Sequence, residues 1–225
     1  MRGEYLLFNL IVVTGPLLLS FDRKVRYVRR WPQALLASAL VLIPYLLWDT
    51  AVQGRHWWFN PRFTLGIRVL GLPVGEWLFF ITVPFSCLFI WEIIDRSHPA
   101  RLAPGLRSAP FFALVAAAPG LYFYLSGRQY TGLALMVLAA VAGLDRLSGI
   151  RLLEQRRTWA YLSLLTAAML LFNGYLTARP VVLYDPAFQL NLRLYTIPVE
   201  DFVYGYGHLL LCTLLYERIK RMRKK

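Results

Sequence analysis

Residues 184–202 read YDPAFQLNLRLYTIPVEDF, and residues 59–77 read FNPRFTLGIRVLGLPVGEW. A constant offset of 125 residues aligns the two stretches without a gap, and the alignment continues to residues 96 and 221. Ten of the 38 aligned positions are identical, and they include both cysteines of the chain. An offset that holds over this length indicates an internal duplication, so both halves are expected to fold alike.

Apolar runs of membrane-spanning length occur throughout the chain. Hydrophobic residues make up 58% of the 225 residues and charged residues only 16%, and the mean hydropathy is +0.49. A transmembrane helix needs about 20 apolar residues. The predicted spans are 5–21, 33–48, 74–94, 109–125, 130–144, 159–177 and 199–217. We therefore predict an all-α integral membrane protein with about seven transmembrane helices.

The duplication groups these spans into two units of three. Spans one to three form a first repeat within residues 1–96, and spans five to seven form a second repeat within residues 129–225. The remaining span, within residues 97–128, connects them. Because this connecting helix adds one crossing of the membrane, both repeats are expected to point the same way, as parallel repeats.

The net charge of +13 is distributed unevenly between the two sides of this bundle. Alternate loops together with the carboxyl-terminal tail hold 18 Lys and Arg residues, whereas the other set holds seven. The positive-inside rule places the loops that hold more Lys and Arg in the cytoplasm. We predict a plasma-membrane protein with its amino terminus outside and its carboxyl terminus in the cytoplasm. Nucleic-acid binding would require a folded basic domain, so we expect the lipid bilayer, and no nucleic acid, as a partner.

The sequence lacks the motifs of the common cofactor sites. There is no CxxC motif, no His/Cys cluster, no GxGxxG and no P-loop. Cys87 and Cys212 fall inside predicted spans, where a cysteine is most often a small apolar residue. We therefore predict neither a metal nor a cofactor.

Apolar residues occur at every second position in the segment before the last span of each repeat. The apolar residues are Phe63, Leu65, Ile67 and Val69 in the first repeat, and Phe188, Leu190, Leu192 and Leu194 in the second. Arg68 and Arg193 fall on the polar side of this alternation. The pattern predicts a short extended segment at the membrane surface. Such a segment can seal the end of the bundle, or it can form a lid or a wall for a ligand.

Carboxylic acids open the last span of each repeat. Glu76 aligns with Asp201, and Glu200 precedes Asp201. An acid in the first turn interacts favourably with the helix dipole, so helix capping explains any one of them alone. Their recurrence at matching positions favours an interior role instead, since ionisable groups in a membrane usually face a functional cavity. Acids that share such a cavity can hold one proton between them and donate it.

Five further residues near these acids are candidates for substrate binding. Arg68 and Arg193 can hold one acid ionised, or they can extend their guanidinium groups to the membrane interface. Trp77 and Phe202 belong to the aromatic belt or to a cavity wall that stabilises a cation. His208 either relays a proton or makes a polar contact inside the bundle.

Two more acids recur at the opposite ends of the same spans. Glu92 and Glu217 occupy matching positions, with Arg96 and Arg218 close by in the sequence. We interpret these acids as salt-bridged helix ends.

A duplicated membrane unit with a Pro-x-Glu-Glu/Asp motif at its last helix resembles the non-flavin lycopene cyclases. The resemblance covers nearly the whole chain and is to the single-chain form of these enzymes. The second motif, from Pro198 to Asp201, matches fully. The first motif has Gly75 in place of its first acid, and we expect this glycine to give the substrate room near the helix start.

The resemblance implies a non-redox carotenoid cyclase, an intramolecular lyase or isomerase that consumes no cofactor. Its substrate would be lycopene or a related linear carotenoid, and other enzymes of the carotenoid pathway would be candidate partners. An acid would protonate the terminal double bond, the neighbouring double bond would attack the carbocation, and loss of a ring proton would leave an ionone ring. Glu76, Glu200 and Asp201 would be the catalytic residues.

Three other functions remain to be weighed. A proton-coupled transporter with parallel repeats would need polar residues in the middle of several spans, whereas the span centres are apolar. A membrane prenyltransferase would need Asp-rich pairs for Mg²⁺, and no DxxxD or DDxxD is present. A structural or assembly protein is not excluded by the acids, and the type of ring formed stays open.

Overall fold

The helices of the computed structural model, which describes residues 2–223, follow the seven predicted apolar runs. The fourth run is divided between two short helices. In chain order the helices are α1 (Glu4–Leu19), α2 (Trp31–Val52), α3 (Val74–Ser97), α4 (Ala109–Val115), α5 (Ala117–Leu125), α6 (Gln129–Ser148), α7 (Arg156–Ala178) and α8 (Val199–Met222).

Five helical segments are long and apolar enough to cross a membrane. They are Tyr27–Val52, Val74–Ser97, Pro104–Leu125, Gln129–Ser148 and Arg156–Ala178. Helix α1 is apolar but has only 16 residues. Helix α8 has 24 residues but carries more charged side chains than the other five. The prediction of an all-α integral membrane protein is confirmed.

The connecting helix, expected to be continuous over 109–125, is interrupted at Ala116. Pro119 lies just beyond the break. Proline has no N–H to donate to the carbonyl four residues earlier, here that of Val115, and its ring clashes with that carbonyl. Helix α4 therefore ends at Val115, and α5 begins at Ala117. Gly132 lets α5 approach α6 closely, since a Cβ there would lie 2.5 Å from the backbone nitrogen of Tyr124.

Short hairpins replace the predicted extended segments and precede the last helix of each repeat. Strand β2 (Arg68–Val69) pairs with β3 (Leu72–Pro73), and β5 (Arg193–Leu194) pairs with β6 (Ile197–Pro198). Both pairs are antiparallel and have the same register, offset by 125 residues. Leu70 and Gly71, with φ of 50° and 80°, form the first turn, as a two-residue type I′ turn requires.

A third strand pair joins the two repeats directly. Strand β1 (Trp57–Phe59) and strand β4 (Val182–Tyr184) are antiparallel, with Trp58 opposite Leu183 at the centre. These two residues are 125 positions apart, so they are equivalent in the duplication. The two-fold axis of the pair therefore coincides with the axis that relates the repeats. Because β1 and β4 lie at one end of the bundle, both repeats point the same way, as predicted.

We call the end that carries β1 to β6 the hairpin end. Helices α3 and α8 both begin there and form the centre of the bundle, where each contacts α2 and α7. Helix α1 packs against α3, and its counterpart α6 packs against α8. Helices α4 and α5 pack on the outside of α6. The division of the chain at residues 96 and 129 stays a prediction.

A buried lysine connects the repeats at the opposite end of the bundle. The ammonium nitrogen of Lys220 lies 2.5 Å from Glu92 Oε1, 2.9 Å from Glu217 Oε1 and 3.0 Å from Asp95 Oδ2. Two related hydrogen bonds support it, from Trp91 to Glu217 and from the equivalent Tyr216 to Glu92. Three carboxylates from two repeats thus converge on one cation.

The expected partners of Glu92 and Glu217 were wrong. We expected Arg96 and Arg218 to pair with these acids because they are their neighbours in sequence. Instead Arg96 donates to the carbonyl of Lys24 at 2.9 Å, and Arg218 is exposed. The carboxylates face the interface between the repeats, because α3 and α8 turn the same helical face toward each other.

Replacing Lys220 with methionine should destabilise the fold strongly. The substitution leaves buried carboxylates without their cation, which typically costs about 3–5 kcal/mol. Thermal unfolding in detergent measures the loss. The matched control is Arg218→Met, an exposed position two residues earlier on α8. Equal melting temperatures for both variants would contradict the role of Lys220 as a link.

Single cysteines test the parallel arrangement. Leu70 and Tyr195, at the two hairpin tips, are 66% and 78% exposed, and Leu147, at the opposite end, is 86% exposed. In sealed vesicles, a membrane-impermeant maleimide should label Leu70→Cys and Tyr195→Cys from one side and Leu147→Cys from the other. The native Cys87 and Cys212 are buried and should not react. Labelling of the two hairpin tips from opposite sides would exclude parallel repeats.

Candidate functional site

A cavity of about 450 Å³ begins beneath the hairpin end and extends along α3 between α1 and α7. Its wall is mainly aromatic and aliphatic. Three carboxylic side chains, Asp49, Glu76 and Asp201, line its end nearest β1 and β4. These three are between 2% and 6% exposed. The cavity therefore combines an apolar interior with a group of buried acids, which is unusual inside a membrane protein.

The helix termini bring the three acids together. Pro73 and Pro198 are extended and precede α3 and α8 directly, so Glu76 and Asp201 fall in the first turns of those helices. Proline suits this position because the first turn of a helix leaves its N–H groups unpaired. Asp49 lies in the last turn of α2, which ends at the same end of the bundle.

Asp201 accepts three hydrogen bonds. The Tyr130 hydroxyl donates to Oδ1 at 2.6 Å, while the Tyr184 hydroxyl and the Asn173 amide donate to Oδ2 at 2.7 and 2.8 Å. Burial, together with the nearby Asp201 carboxylate, raises the pKa of Tyr184 well above its ordinary value, so this side chain remains a hydroxyl donor. Both oxygens of Asp201 are thus occupied by donors.

Glu76 and Asp49 form a carboxyl pair. The two side chains lie within hydrogen-bonding range of each other. The Tyr5 hydroxyl donates to Glu76 Oε2, and the Tyr204 hydroxyl donates to Asp49 Oδ1 at 3.2 Å. A hydrogen bond between two carboxyl groups requires that one of them carries a proton. The pair is therefore suited to hold one proton in an apolar surrounding.

The duplication relates two hydrogen bonds between a tyrosine and an acid. Neither tyrosine was predicted from the sequence. Tyr5 bonds to Glu76 and Tyr130 bonds to Asp201, and both tyrosines and both acids stand 125 residues apart. Extending the offset back to the first and fifth spans would have found both tyrosines. Asp49 was overlooked because it ends an apolar run, where it was assigned to a loop.

Glu200, the other acid of the second motif, lies behind the cavity wall. It is 2% exposed, and its Oε1 accepts from Thr131 Oγ1 and from the backbone nitrogen of Leu190, both at 2.6 Å. These bonds tie the first turn of α8 to the start of α6 and to the segment before β5. Glu200 was predicted to be catalytic, but its side chain does not line the cavity.

Gly75 does not leave room for a ligand, contrary to our expectation. A Cβ at this position would lie 2.7 Å from Cδ1 of Tyr5, so the tyrosine ring already occupies the space. The Asn9 amide also donates to the Gly75 carbonyl at 3.0 Å. The glycine allows Tyr5 to approach α3 closely enough to bond with Glu76.

Of the five residues predicted to bind substrate, His208 lines the cavity. It is 2% exposed, and its ring lies 4.5 Å from the Tyr45 ring and 5.3 Å from the Phe80 ring. Within the described residues its Nε2 has no hydrogen-bond partner, so the polar contact considered for it is not made through this atom.

The remaining candidates for substrate binding lie outside the cavity wall. Arg68 and Arg193 each donate to a carbonyl of their own hairpin turn, at 2.8 and 2.6 Å. Trp77 donates to the carbonyl of Val69 at 3.1 Å. Phe202 is buried with 7% of its surface exposed. Their parts in substrate binding stay predictions. The hydrogen bonds of Arg68, Arg193 and Trp77 stabilise the hairpins.

Comparison with known proteins identifies the family. The lycopene cyclase family model matches residues 4–94 and matches again at residues 127–219. The chain belongs to the lycopene cyclase family. The two matched segments cover most of the chain, and each holds one repeat together with its buried acid. The segment 95–126, which contains α4 and α5, joins the two matches. No curated protein and no solved structure was found to match the chain.

Membership of this family assigns the broad activity. The protein is a carotenoid cyclase with membrane-spanning helices and an internal repeat. Its cavity has a mainly apolar wall, which suits a long apolar molecule such as a carotenoid. Two of the predicted catalytic residues, Glu76 and Asp201, line this cavity.

Adding a methyl group at Gly75 should disturb the acid pair. Gly75→Ala forces the Tyr5 ring away from α3, and overpacking of this kind typically costs about 1–3 kcal/mol. Thermal unfolding in detergent should show the loss, and the rate of ring formation should fall with it. The control is Gly105→Ala, a position before α4 and outside the cavity wall where an added Cβ meets no atom within 4 Å. Unchanged stability of Gly75→Ala would mean that the Tyr5 ring can move away from α3 without cost, which would contradict the close fit described here.

Proposed function

We propose that this protein converts the linear ends of lycopene to β-ionone rings by acid-initiated, non-redox cyclisation. The observation that supports this best is the position of three buried carboxyl groups at the end of an apolar cavity, in a chain of this family. The cavity accepts an apolar chain, and the acids meet its terminal double bond.

In this proposal the Asp49–Glu76 pair is the acid. It holds one proton between two carboxyl groups, within a wall that excludes water. The proton adds to the terminal carbon–carbon double bond, whose π electrons form the new C–H bond. The other carbon of that double bond becomes a tertiary carbocation. The neighbouring double bond then attacks it, which closes the ring by a new C–C bond and moves the positive charge into the ring.

Asp201 is the base in this proposal. Its two oxygens accept hydrogen bonds from Tyr130, Tyr184 and Asn173, an arrangement that suits a carboxylate receiving a proton. It takes a proton from a ring carbon next to the cation, and the C–H electrons form the ring double bond. The proton returns to the carboxyl pair before the next turnover. No electrons are gained or lost overall.

Aromatic side chains around the acids stabilise the cation. Tyr204 and Trp57 line the cavity beside the three carboxyl groups, and their ring centroids lie 6.4 Å apart. The faces of aromatic rings attract positive charge, and the attraction is stronger where water is excluded. A wall that excludes water also keeps solvent from capturing the cation, so the cation survives long enough to lose its proton.

Glu200 is a positioning residue in this proposal. By accepting from Thr131 it fixes the first turn of α6, and Tyr130, the neighbour of Thr131, bonds to Asp201. Arg68, Arg193 and Trp77 hold the hairpins over the acid end by their hydrogen bonds to hairpin carbonyls. The enzyme would lie in the plasma membrane with the hairpin end outside, as the distribution of Lys and Arg indicates.

Expression in cells that accumulate lycopene, followed by pigment analysis, tests the proposed function. The unaltered chain should form β rings. Asp49→Asn, Glu76→Gln and Asp201→Asn should each lower ring formation per folded molecule by about 10²–10⁴, because general acid and base catalysis contributes that much. The control is Asp185→Asn, a carboxyl group in the loop after β4 whose capping bond an amide can replace. Normal ring formation by all three variants would refute the mechanism.

Two substitutions separate a positioning role of Glu200 from a catalytic one. Glu200→Gln keeps an oxygen that can accept from Thr131 and from the Leu190 backbone, so activity should be largely kept. Glu200→Ala removes both bonds, and activity should fall strongly at unchanged KM. If the glutamine variant were as inactive as the alanine variant, Glu200 would itself have to transfer a proton.

A further inference from the structure

We propose that the bundle binds an anionic phospholipid at the end opposite the hairpin end, with the lipid phosphate between Arg101 and Arg156. The site is a surface pocket between the segment before α4 and the start of α7. Its ligand is not a carotenoid, so this inference stands whether or not the proposed function is correct.

The surface pocket has a volume of about 330 Å³. It is lined by Ala103, Gly105, Leu106, Arg156 and Trp159. Helix α7 leads into β4 at the hairpin end, so its first turn and this pocket lie at the opposite end of the bundle. A Cβ added at Gly105 would meet no atom within 4 Å, so the pocket has free space at this position.

The backbone places two arginines side by side at this pocket. Leu102 and Gln155 form an antiparallel bridge, and its register sets Arg101 opposite Arg156. Residues directly opposite each other in an antiparallel pair face the same side. Since Arg156 lines the pocket, Arg101 is on the pocket side of the bridge as well.

The positive charge of these arginines is not neutralised by the protein. Within the described residues 2–223, neither Arg101 nor Arg156 forms an ion pair. The neighbouring acid, Glu154, pairs instead with Arg146 at 2.6 Å and with Arg151. Like charges directly opposite each other destabilise a strand pair. Because both arginines are exposed, a phosphate group can contact both and remove this repulsion.

Trp159 indicates that the pocket lies at the level of the lipid headgroups. It follows Arg156 by three residues, so the two share a face of α7. Its indole donates to the carbonyl of Leu153 at 3.0 Å, and 43% of its surface is exposed. Tryptophan is enriched where membrane and water meet. The distribution of Lys and Arg indicates the cytoplasmic side for this end, and the cytoplasmic leaflet carries anionic lipids.

Exposed apolar side chains follow the pocket along both helices that adjoin it. Phe111 and Phe112 on α4 are 65% and 69% exposed, and Leu164 on α7 is 50% exposed. Acyl chains can pack on these side chains, whereas a soluble phosphate has no apolar part to place there. The site therefore suits a phospholipid.

Thermal unfolding of the detergent-purified protein tests the class of ligand. The additions are dioleoyl phosphatidylglycerol, dioleoyl phosphatidylcholine or inorganic phosphate. A ligand that binds only the folded state raises Tm. Phosphatidylglycerol should raise Tm, whereas the other two should leave it nearly unchanged. An equal rise with phosphatidylcholine would show that the negative charge is not recognised, and an equal rise with inorganic phosphate would identify a soluble anion as the ligand. Either result would overturn the proposal.

Two arginine substitutions test the position of the site. Arg101→Gln combined with Arg156→Gln should weaken phosphatidylglycerol binding by about tenfold or more, because each arginine near an anionic headgroup strengthens the attraction. The control combines Arg29→Gln with Arg218→Gln, which removes two exposed charges from the same end of the bundle. An equal loss in both double variants would mean general attraction to a basic surface and would contradict a site at the pocket.

Filling the pocket provides a test that leaves the charge unchanged. Gly105→Trp should weaken phosphatidylglycerol binding by about tenfold or more, because the added ring and the headgroup compete for the same space. The control is Gly66→Trp, an exposed position before β2 where a Cβ also meets no atom within 4 Å. Equal binding by the two variants would show that the lipid does not occupy the pocket.

Discussion

The pairing of β1 with β4 is the interaction on which the arrangement of this bundle depends. Three residues from each repeat form it, and its centre joins the equivalent residues Trp58 and Leu183. An antiparallel pair has two-fold symmetry about its centre. Since the loops that carry both strands are thereby held at one end, α3 and α8 begin side by side. Their first turns then meet, and the buried acids come together as a result.

The surroundings of the buried acids depart from that symmetry. Both repeats hold a tyrosine against an acid, but the first adds Asp49 to form a carboxyl pair, whereas the second surrounds Asp201 with three donors. In the proposed mechanism an acid and a base are thus made from the same duplicated element by different neighbours, which is a general way to set two carboxyl groups to two tasks. The cavity likewise lies along α3 between α1 and α7.

The sequence predicted the helices, the duplication and the two acids that line the cavity, because these depend on hydrophobic run length and on a constant offset. It did not predict Asp49, whose side chain becomes important only when the end of α2 meets the start of α3. It placed Glu200 with Asp201, although neighbours in a helix point in directions about 100° apart, at 3.6 residues per turn. Lys220, the partner of Glu92 and Glu217, was also not predicted. Its role depends on which helices lie next to each other, and a constant sequence offset does not show this.

Lys220 and Asp95 occupy equivalent positions in the two repeats and carry opposite charges. A pairing of two first repeats would bring together four carboxylates without the lysine, and a pairing of two second repeats would bury two ammonium groups side by side. The pairing of two first repeats is repelled electrostatically, whereas the mixed pairing gives its three carboxylates the Lys220 cation. The duplicated halves have therefore diverged into complementary partners at this end of the bundle, since the first supplies two carboxylates and the second supplies the ammonium group that all three carboxylates share.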